Sequence, residues 1–169
     1  KILKNICGIE TNLSTYHLGY VLGPRINAGG RVGKCSHGAN LLLSKDPKEV
    51  FTIASELENF NNERKFLEKE MLNKIEKKIV LDPNEPVTVL SGHNLHEGII
   101  GIIASRLKDK FNKPTIIISI SNGVGKASAR SVYGFDIGTF IINAVQKNIL
   151  MSGGGHKMAA GFSIKEEKI

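Results

Sequence analysis

Cysteine is scarce in this chain, and its scarcity excludes two common kinds of small protein. The 169 residues include only two cysteines, Cys7 and Cys35, and no tryptophan. The cysteines lack the CxxC spacing and the accompanying histidines of a zinc site, and two cysteines cannot form the disulfide framework of a small secreted domain. We therefore expect a protein of the reducing cytoplasm.

Long apolar runs are lacking as well. Runs such as residues 114–120 are far shorter than the roughly 20 residues that a membrane-spanning helix needs, and no signal-like region opens the chain. We expect a globular protein that is neither inserted in a membrane nor exported. Because the chain begins with Lys1 rather than Met and ends in a charged run, we also expect a piece of a longer polypeptide.

A recognisable metal centre is the third absence. His93, His96 and Glu97 are close in sequence, but they do not match HExxH and no third ligand follows nearby. The acidic residues lie mostly in expected helices and loop tips, without the aspartate and histidine cluster of a two-metal site. Phosphoryl transfer normally needs a metal or an equivalent clamp. We therefore expect no metal ligands in this chain.

Positive charge is what the chain has in excess. Lysine and arginine total 23 against 16 acidic residues, and the isoelectric point is near 9.4. Such a balance favours an anionic partner, of which nucleic acid is the commonest. The length suffices for one ordinary core, or for one domain and part of another.

The order of patterns predicts an α/β protein. Residues 1–34 show no sustained period and are expected to form loops and short helical turns. Asp46-Pro47 is typical of a helix start, and the helical pattern then continues to about Val80. After the breaker cluster at residues 82–86, strands are predicted at 87–90, 114–120, 125–132 and 157–164, and helices at 97–111 and 136–150. This alternation predicts a mixed β-sheet covered by helices.

Glycine-bearing segments supply the candidate anion-binding groups. Gly153, Gly154 and Gly155 precede His156 between a predicted helix and a predicted strand. That order is the reverse of a nucleotide P-loop, and no Gly-Lys-Ser/Thr follows, so ATP binding by that route is not expected. The triplet is interpreted either as a phosphate-contacting loop or as a tight connection in which glycine caps the helix.

Two further segments carry donors. Period 2 places Lys126, Ser128 and Arg130 on one face of a strand, with Ser131 on the other, which suits either a phosphodiester backbone or an ordinary solvated face. Residues 23–31 are expected to form a loop that points Arg25, Asn27 and Arg31 at one site. His96 is expected beside the amino end of the following helix, either near an anion or as a satisfied turn residue.

Four segments in this order resemble the later motifs of the RecJ single-strand-specific DNA exonucleases of the DHH phosphoesterase superfamily. They are Gly-Pro-Arg-Ile-Asn-Ala-Gly-Gly-Arg at 23–31, His-Glu-Gly-Ile-Ile-Gly-Ile-Ile-Ala-Ser-Arg-Leu at 96–107, Ser-Ala-Arg-Ser at 128–131 and Gly-Gly-Gly-His-Lys-Met-Ala-Ala-Gly at 153–161. The chain departs from the family in having Leu95 where tryptophan is usual and Ala127 where glycine is common. The Asp-His-His motif that names the family and the family's other metal-binding motifs are absent from this sequence.

The resemblance implies that the chain has three parts with different roles. Residues 1–46 would be the end of the DHH catalytic domain, 47–81 a connecting helix, and 82–169 the DHHA1 substrate-binding domain. Family members hydrolyse single-stranded DNA from 5′ to 3′ with manganese or magnesium, which the absent amino-terminal motifs would bind. A monomer that acts beside other DNA-repair proteins is expected. The piece alone should bind weakly and hydrolyse nothing.

We interpret the candidate residues within that frame as two groups. Arg25 and Arg31, with Asn27 orienting the segment, would approach phosphates near the metal centre of the intact enzyme. The second group would hold the 5′ end or the backbone beyond it. It comprises His96, Lys126, Ser128, Arg130, Ser131, the amides of Gly153, Gly154 and Gly155, and His156.

Two alternatives stay open at this point. A DHH phosphoesterase for short oligonucleotides or cyclic dinucleotides would also have a Gly-Gly-Gly-His segment, although the motifs at 25–28 and 128–131 favour the exonuclease. A non-catalytic nucleic-acid-binding module would need the same basic surface.

Overall fold

A computed structural model of the chain describes residues 1–78 and 85–169. These residues form two compact units, Lys1–Leu67 and Glu68–Ile169, whose border falls inside one long helix. The domain boundaries at 46 and 81 remain predictions, and residues 82–84 of the breaker cluster lie outside the described part. In the described ranges, no helix is both long and apolar enough to cross a membrane.

The first unit is helical. Its short helices are α1 (Ile2–Ile6), α2 (Gly23–Ile26), α3 (Gly29–Val32) and α4 (His37–Leu43), with a π-helical turn at His17–Leu22. Helix α5 (Pro47–Lys78) begins as the sequence predicts, because Asp46 Oδ1 accepts the backbone N–H of Lys48 at 3.0 Å. The predicted stripe is also confirmed at Ile53 and Leu57, which are buried against Leu41 of α4.

The short helical turns predicted within residues 1–34 are confirmed, but the loop expected at 23–31 is wrong. The segment folds into the single turns α2 and α3, with Pro24 in the first turn of α2, where its missing N–H costs nothing. Asn27 ends α2 and its backbone N–H donates to the Gly23 carbonyl at 3.0 Å. The donors of this segment are therefore presented from helical turns.

The second unit is built on a five-stranded mixed sheet with the order β1-β2-β3-β5-β4. The strands are β1 (Thr88–His93), β2 (Thr115–Ser121), β3 (Val124–Arg130), β4 (Ser152–His156) and β5 (Ala159–Lys165). Strands β1 and β2 are parallel and are joined through α6 (Glu97–Phe111), while the other neighbours are antiparallel. Helix α7 (Ile137–Gln146) connects β3 to β4. The predicted α/β class with a mixed sheet covered by helices is confirmed.

Helices α6 and α7 cover opposite faces of the sheet. Helix α7 buries Ile137 and Ile141 in a cluster with Ala127, Ala129 and Phe162 of β3 and β5. Helix α6 lies against the other face of β3, because a Cβ atom at Gly101 would lie 3.0 Å from both Arg130 Nη2 and Ser128 Oγ. One apolar cluster therefore fills the α7 side, and the polar residues of β3 lie on the α6 side. Helix α6 also buries apolar residues of its own, including Ile99, Ile103 and Leu107.

The glycine triplet is a strand, which corrects its interpretation as a connection. Glycine weakens a strand because it has no side chain to pack, so the local pattern favours a turn. Pairing with β5 and packing against α7 override that preference. The helix instead ends at Gln146, and the left-handed residue that follows it is Asn148, with φ of 56°.

Two glycines of the triplet are required because neighbouring atoms of α7 and β5 leave no room for a side chain. A Cβ atom at Gly155 would lie 2.4 Å from the Ala159 carbonyl oxygen, and one at Gly153 would lie 2.8 Å from Ile141 Cγ2. At Gly154 the same test finds no heavy atom within 4 Å. Packing therefore explains the first and third glycines of the triplet but not the second.

We predict that Gly155→Ala destabilises the chain and that Gly154→Ala does not. A methyl group at 155 meets backbone that cannot move aside, so the free energy of unfolding should fall by about 1–3 kcal/mol. The matched change at 154 enters open space and should stay within about 0.5 kcal/mol. Urea unfolding of the 169-residue chain measures both. Equal destabilisation by the two variants would contradict the close packing of β4.

Candidate phosphate-binding face

The register of three antiparallel strands assembles nine residues on one face of the sheet. Residues directly opposite one another on paired strands share a face. The pairing of β3 with β5 and of β5 with β4 therefore defines three rows, which we call the polar face. The rows are Lys126–Ser163–Ser152, Ser128–Gly161–Gly154 and Arg130–Ala159–His156.

The polar face is accessible, whereas the intervening residues of β3 and β5 are buried. None of its nine members is buried. The alternating residues of the same strands, such as Ala129 and Phe162, belong to the core beneath α7. The period-2 prediction for residues 125–131 is thus confirmed, with Lys126, Ser128 and Arg130 on one side. The sequence reasoning missed Ser152, Ala159, Gly161 and Ser163, because only the strand register shows that they complete the rows.

Arg130 is held in a defined position on this face. Its Nη1 donates to Ser128 Oγ at 3.0 Å and to the Ala129 carbonyl at 2.8 Å, and the guanidinium lies beside Gly101 of α6. These contacts fix the cation close to the backbone rather than letting it extend into solvent. A planar guanidinium in a fixed position suits the oxygen atoms of a phosphate.

Lys126 carries the second cation of the polar face. Its Nζ lies 2.8 Å from Glu97 Oε2, and the side chains are 60% and 45% exposed. An ion pair this exposed contributes at most about 1 kcal/mol, and salt screens it. An incoming phosphate can therefore replace Glu97 at little cost.

The two candidate histidines use the same local geometry. Nδ1 of His156 accepts the Met158 N–H, and Nδ1 of His96 accepts the Gly98 N–H, each at 3.2 Å. When Nδ1 accepts, the proton of the neutral ring is on Nε2, which becomes a donor. His96 is the N-cap residue of α6, so its ring satisfies the first turn of that helix. Both rings are exposed.

Ser131, Gly153 and Gly155, like His96 of α6, are not among the nine residues of the polar face. Ser131 is only 1% exposed, and its Oγ donates to the Phe135 carbonyl at 2.7 Å, so it stabilises the 131–135 turn. Strand alternation directs Gly153 and Gly155 away from the polar face, and Cβ atoms added there would meet Ile141 of α7 and Ala160 of β5, respectively. Of the triplet, Gly154 alone is on the polar face.

The residues predicted at 25–31 are in the first unit. Arg25 forms a two-pronged ion pair with Glu58 of α5, and its Nη1 donates to the Val21 carbonyl at 2.8 Å. Asn27 is exposed and Arg31 is half-buried. The structure therefore gives Arg25 a clear packing role, whereas the roles of all three toward phosphate stay predictions.

Residues 1–78 and 85–169 lack the side-chain cluster of a divalent-metal site. No group of three or more His, Cys, Asp or Glu side chains in these ranges is placed to hold an ion. The donors of the polar face are cations, hydroxyls and amides, which suit anions. These residues do not fit a divalent metal.

Asp136 closes the turn beyond the polar face. Its Oδ1 accepts the Thr139 N–H at 3.0 Å and caps α7. The hydrogen bond from the Thr139 backbone, more than any other contact, holds the pKa of this carboxyl below its ordinary value. The charged carboxylate thus stabilises the first turn of α7 more than the protonated acid does.

Comparison with known proteins gives consistent findings. The DHHA1 domain family matches residues 84–169. The chain is 35% identical to the single-stranded-DNA-specific exonuclease RecJ of Bacillus subtilis, over 95% of this chain and 20% of that protein. It also superimposes on crystal structures of Thermus thermophilus RecJ in complex with Mg²⁺ (TM-score 0.83, 30% identity) and with Mn²⁺ (TM-score 0.84, 28% identity). Each superposition covers 98% of this chain and 25% of the other.

We predict that the cap at Asp136 makes stability depend on pH. The lowered pKa in the folded chain means that the stabilisation is present above the ordinary value of 3.8 and is lost as the pH falls through and below it. Asparagine caps as well as aspartate but does not titrate. The stability advantage of the native chain over Asp136→Asn should therefore shrink on acidification. Urea unfolding of both chains from pH 7 to pH 3 tests this, and a constant difference would contradict it.

Proposed function

Since this chain belongs to the DHHA1 domain family and is RecJ-like along nearly its whole length, we propose that it is the substrate-binding part of a single-strand-specific DNA exonuclease. The longer protein would hydrolyse single-stranded DNA from 5′ to 3′ in DNA repair and recombination. The chain spans about a fifth to a quarter of the length of the relatives described above. The observation that supports a substrate-binding role for this chain is the polar face.

The geometry of the polar face suits a phosphodiester backbone. Successive rows are about 7 Å apart along β3, because residues two apart in a strand are separated by twice the rise of roughly 3.4 Å. Lys126 and Arg130 are on the outer rows, with Ser128 between them. Two phosphates of one strand can therefore each have a cation, and the hydroxyl can donate between them.

Small residues let the backbone of the DNA come close. The middle row contains Gly161 and Gly154, and no heavy atom of the protein fills the space where a Gly154 side chain would extend. Strand β4 is at the edge of the sheet, so part of its backbone N–H groups are not engaged by β5. We propose that these amides, with Nε2 of His156, donate to phosphate oxygens.

Hydrolysis itself is assigned to another part of the longer protein. The described residues do not fit Mg²⁺ or Mn²⁺, so bond cleavage would take place on the metal-binding part of the longer protein. We propose that it orients the strand and neutralises its charge. Within the first unit, Asn27 and Arg31 would contact phosphate near the metal centre, and Arg25 would support them by fastening α2 to Glu58.

We predict that the cations of the polar face determine binding of a fluorescent 5′-phosphorylated single strand. Removing one phosphate contact lowers the affinity and reduces the salt slope by about 0.7 for a single strand. Lys126→Ala and Arg130→Ala should each show this change. His156→Ala should weaken binding by loss of one donor. Fluorescence anisotropy across a salt series measures affinity and slope together.

The matched control is Lys110→Ala. Lys110 forms an ion pair with Glu76 at 2.8 Å, with side chains 52% and 40% exposed, which resembles the Lys126–Glu97 pair in length and exposure. The Lys110→Ala change removes one positive charge from the same unit as Lys126→Ala does, but Lys110 is not part of the polar face. If Lys110→Ala lowered affinity and slope as much as Lys126→Ala, binding would follow net charge and the proposed face would be wrong.

A further inference from the structure

A pocket of about 380 Å³ lies just beyond the Arg130 end of the polar face. It is lined by residues 132–136 from the segment after β3 and by Lys157 and Met158 from the turn between β4 and β5. We call it the end pocket. The two segments are tied together, since the Ser131 N–H donates to the Met158 carbonyl at 2.9 Å.

Tyr133 is the unusual member of the end pocket. Its side chain is 100% exposed, and Met158 on the other segment is 43% exposed. An aromatic ring in this position buries none of its surface, so the packing of the chain does not account for it. Phe135 behaves differently, because it packs against the core beneath α7.

The end pocket continues from the third row of the polar face. Arg130 pairs with Ala159, and Nδ1 of His156 accepts the N–H of Met158 in the pocket wall. Three peptide units separate Arg130 from Tyr133, so their Cα atoms are at most about 11 Å apart. A nucleotide whose phosphate lies at Arg130 can therefore extend its base toward Tyr133.

The charges of the end pocket favour a base over another phosphate. Its lining contains one carboxylate, Asp136, and one ammonium, Lys157, so the two formal charges cancel. The Asp136 carboxylate would repel a phosphate in this pocket, whereas it would not repel a neutral base. A base also offers an apolar face for Tyr133 and Met158, and polar edges for the two charged groups.

We propose that the end pocket binds a nucleobase of the strand held on the polar face, with Tyr133 stacking on the ring. This inference rests on the proposed function. Stacking accepts every base, because each one has an aromatic face. It requires an unpaired base, since a base within a duplex is already stacked between its neighbours. The end pocket would therefore contribute to selection of single strands without reading their sequence.

The experiment compares Tyr133→Ala with Tyr133→Phe on two probes. One probe is a 5′-phosphorylated single strand, and the other is an abasic phosphodiester oligomer of the same length and charge. Tyr133→Ala should weaken binding of the first probe at least about fivefold, leave the second unchanged and leave the salt slope unchanged. Tyr133→Phe should bind both probes as the native chain does, because the ring remains.

The outcomes separate this inference from the proposed function. Equal weakening on both probes, or no weakening on either, would overturn stacking at Tyr133. If Arg130→Ala still lowers the salt slope in that case, the polar face stands and the end pocket alone is wrong. If Arg130→Ala changes neither affinity nor slope, the proposed function fails independently of Tyr133. The proposal would also be contradicted if Tyr133→Phe weakened binding of the single strand as much as Tyr133→Ala does, because phenylalanine keeps the aromatic ring.

Discussion

The antiparallel register of β3, β5 and β4 is the constraint on which the rest of the second unit depends. It sends Ala129 and Phe162 to the α7 side and Arg130 to the α6 side. A shift of one residue would exchange the two sets, burying a guanidinium and exposing the core. The burial of the apolar set therefore stabilises the polar face indirectly: the cations are aligned because their neighbours in sequence must be buried.

The Gly-Gly-Gly segment shows how packing and binding requirements can alternate within five residues. Gly153 and Gly155 let β4 approach α7 and β5 more closely than any side chain would allow. Gly154 faces the opposite side, where the protein places nothing against it. A motif defined as three equal glycines therefore divides into a structural pair and a single open position. Strand alternation, rather than loop flexibility, assigns these roles.

Local patterns predicted what local forces determine. The helix at 97–111 and the alternating face of β3 follow from spacing within a few residues, and both are present as predicted. The strand at 152–156 could not be predicted, because its glycines have low strand propensity and its stability comes from β5 and α7. The sequence around Arg25 likewise suggested a phosphate-binding role, but it could not show the ion pair with Glu58, which is 33 residues away. Long-range contacts of this kind leave no local signal in one sequence.

The cations of the polar face already have partners within the protein, and this shapes how a polyanion can bind. Lys126 is paired with Glu97, and Arg130 donates to Ser128 and to the backbone. Binding of a phosphate at Lys126 then exchanges one solvent-exposed ion pair for another charge-assisted contact, so the net gain is modest. Such a surface holds a strand through several contacts at once while letting any one contact break. Under the proposed function, that property would let a strand advance along the protein between cleavages, because no single phosphate would be held tightly enough to stop it.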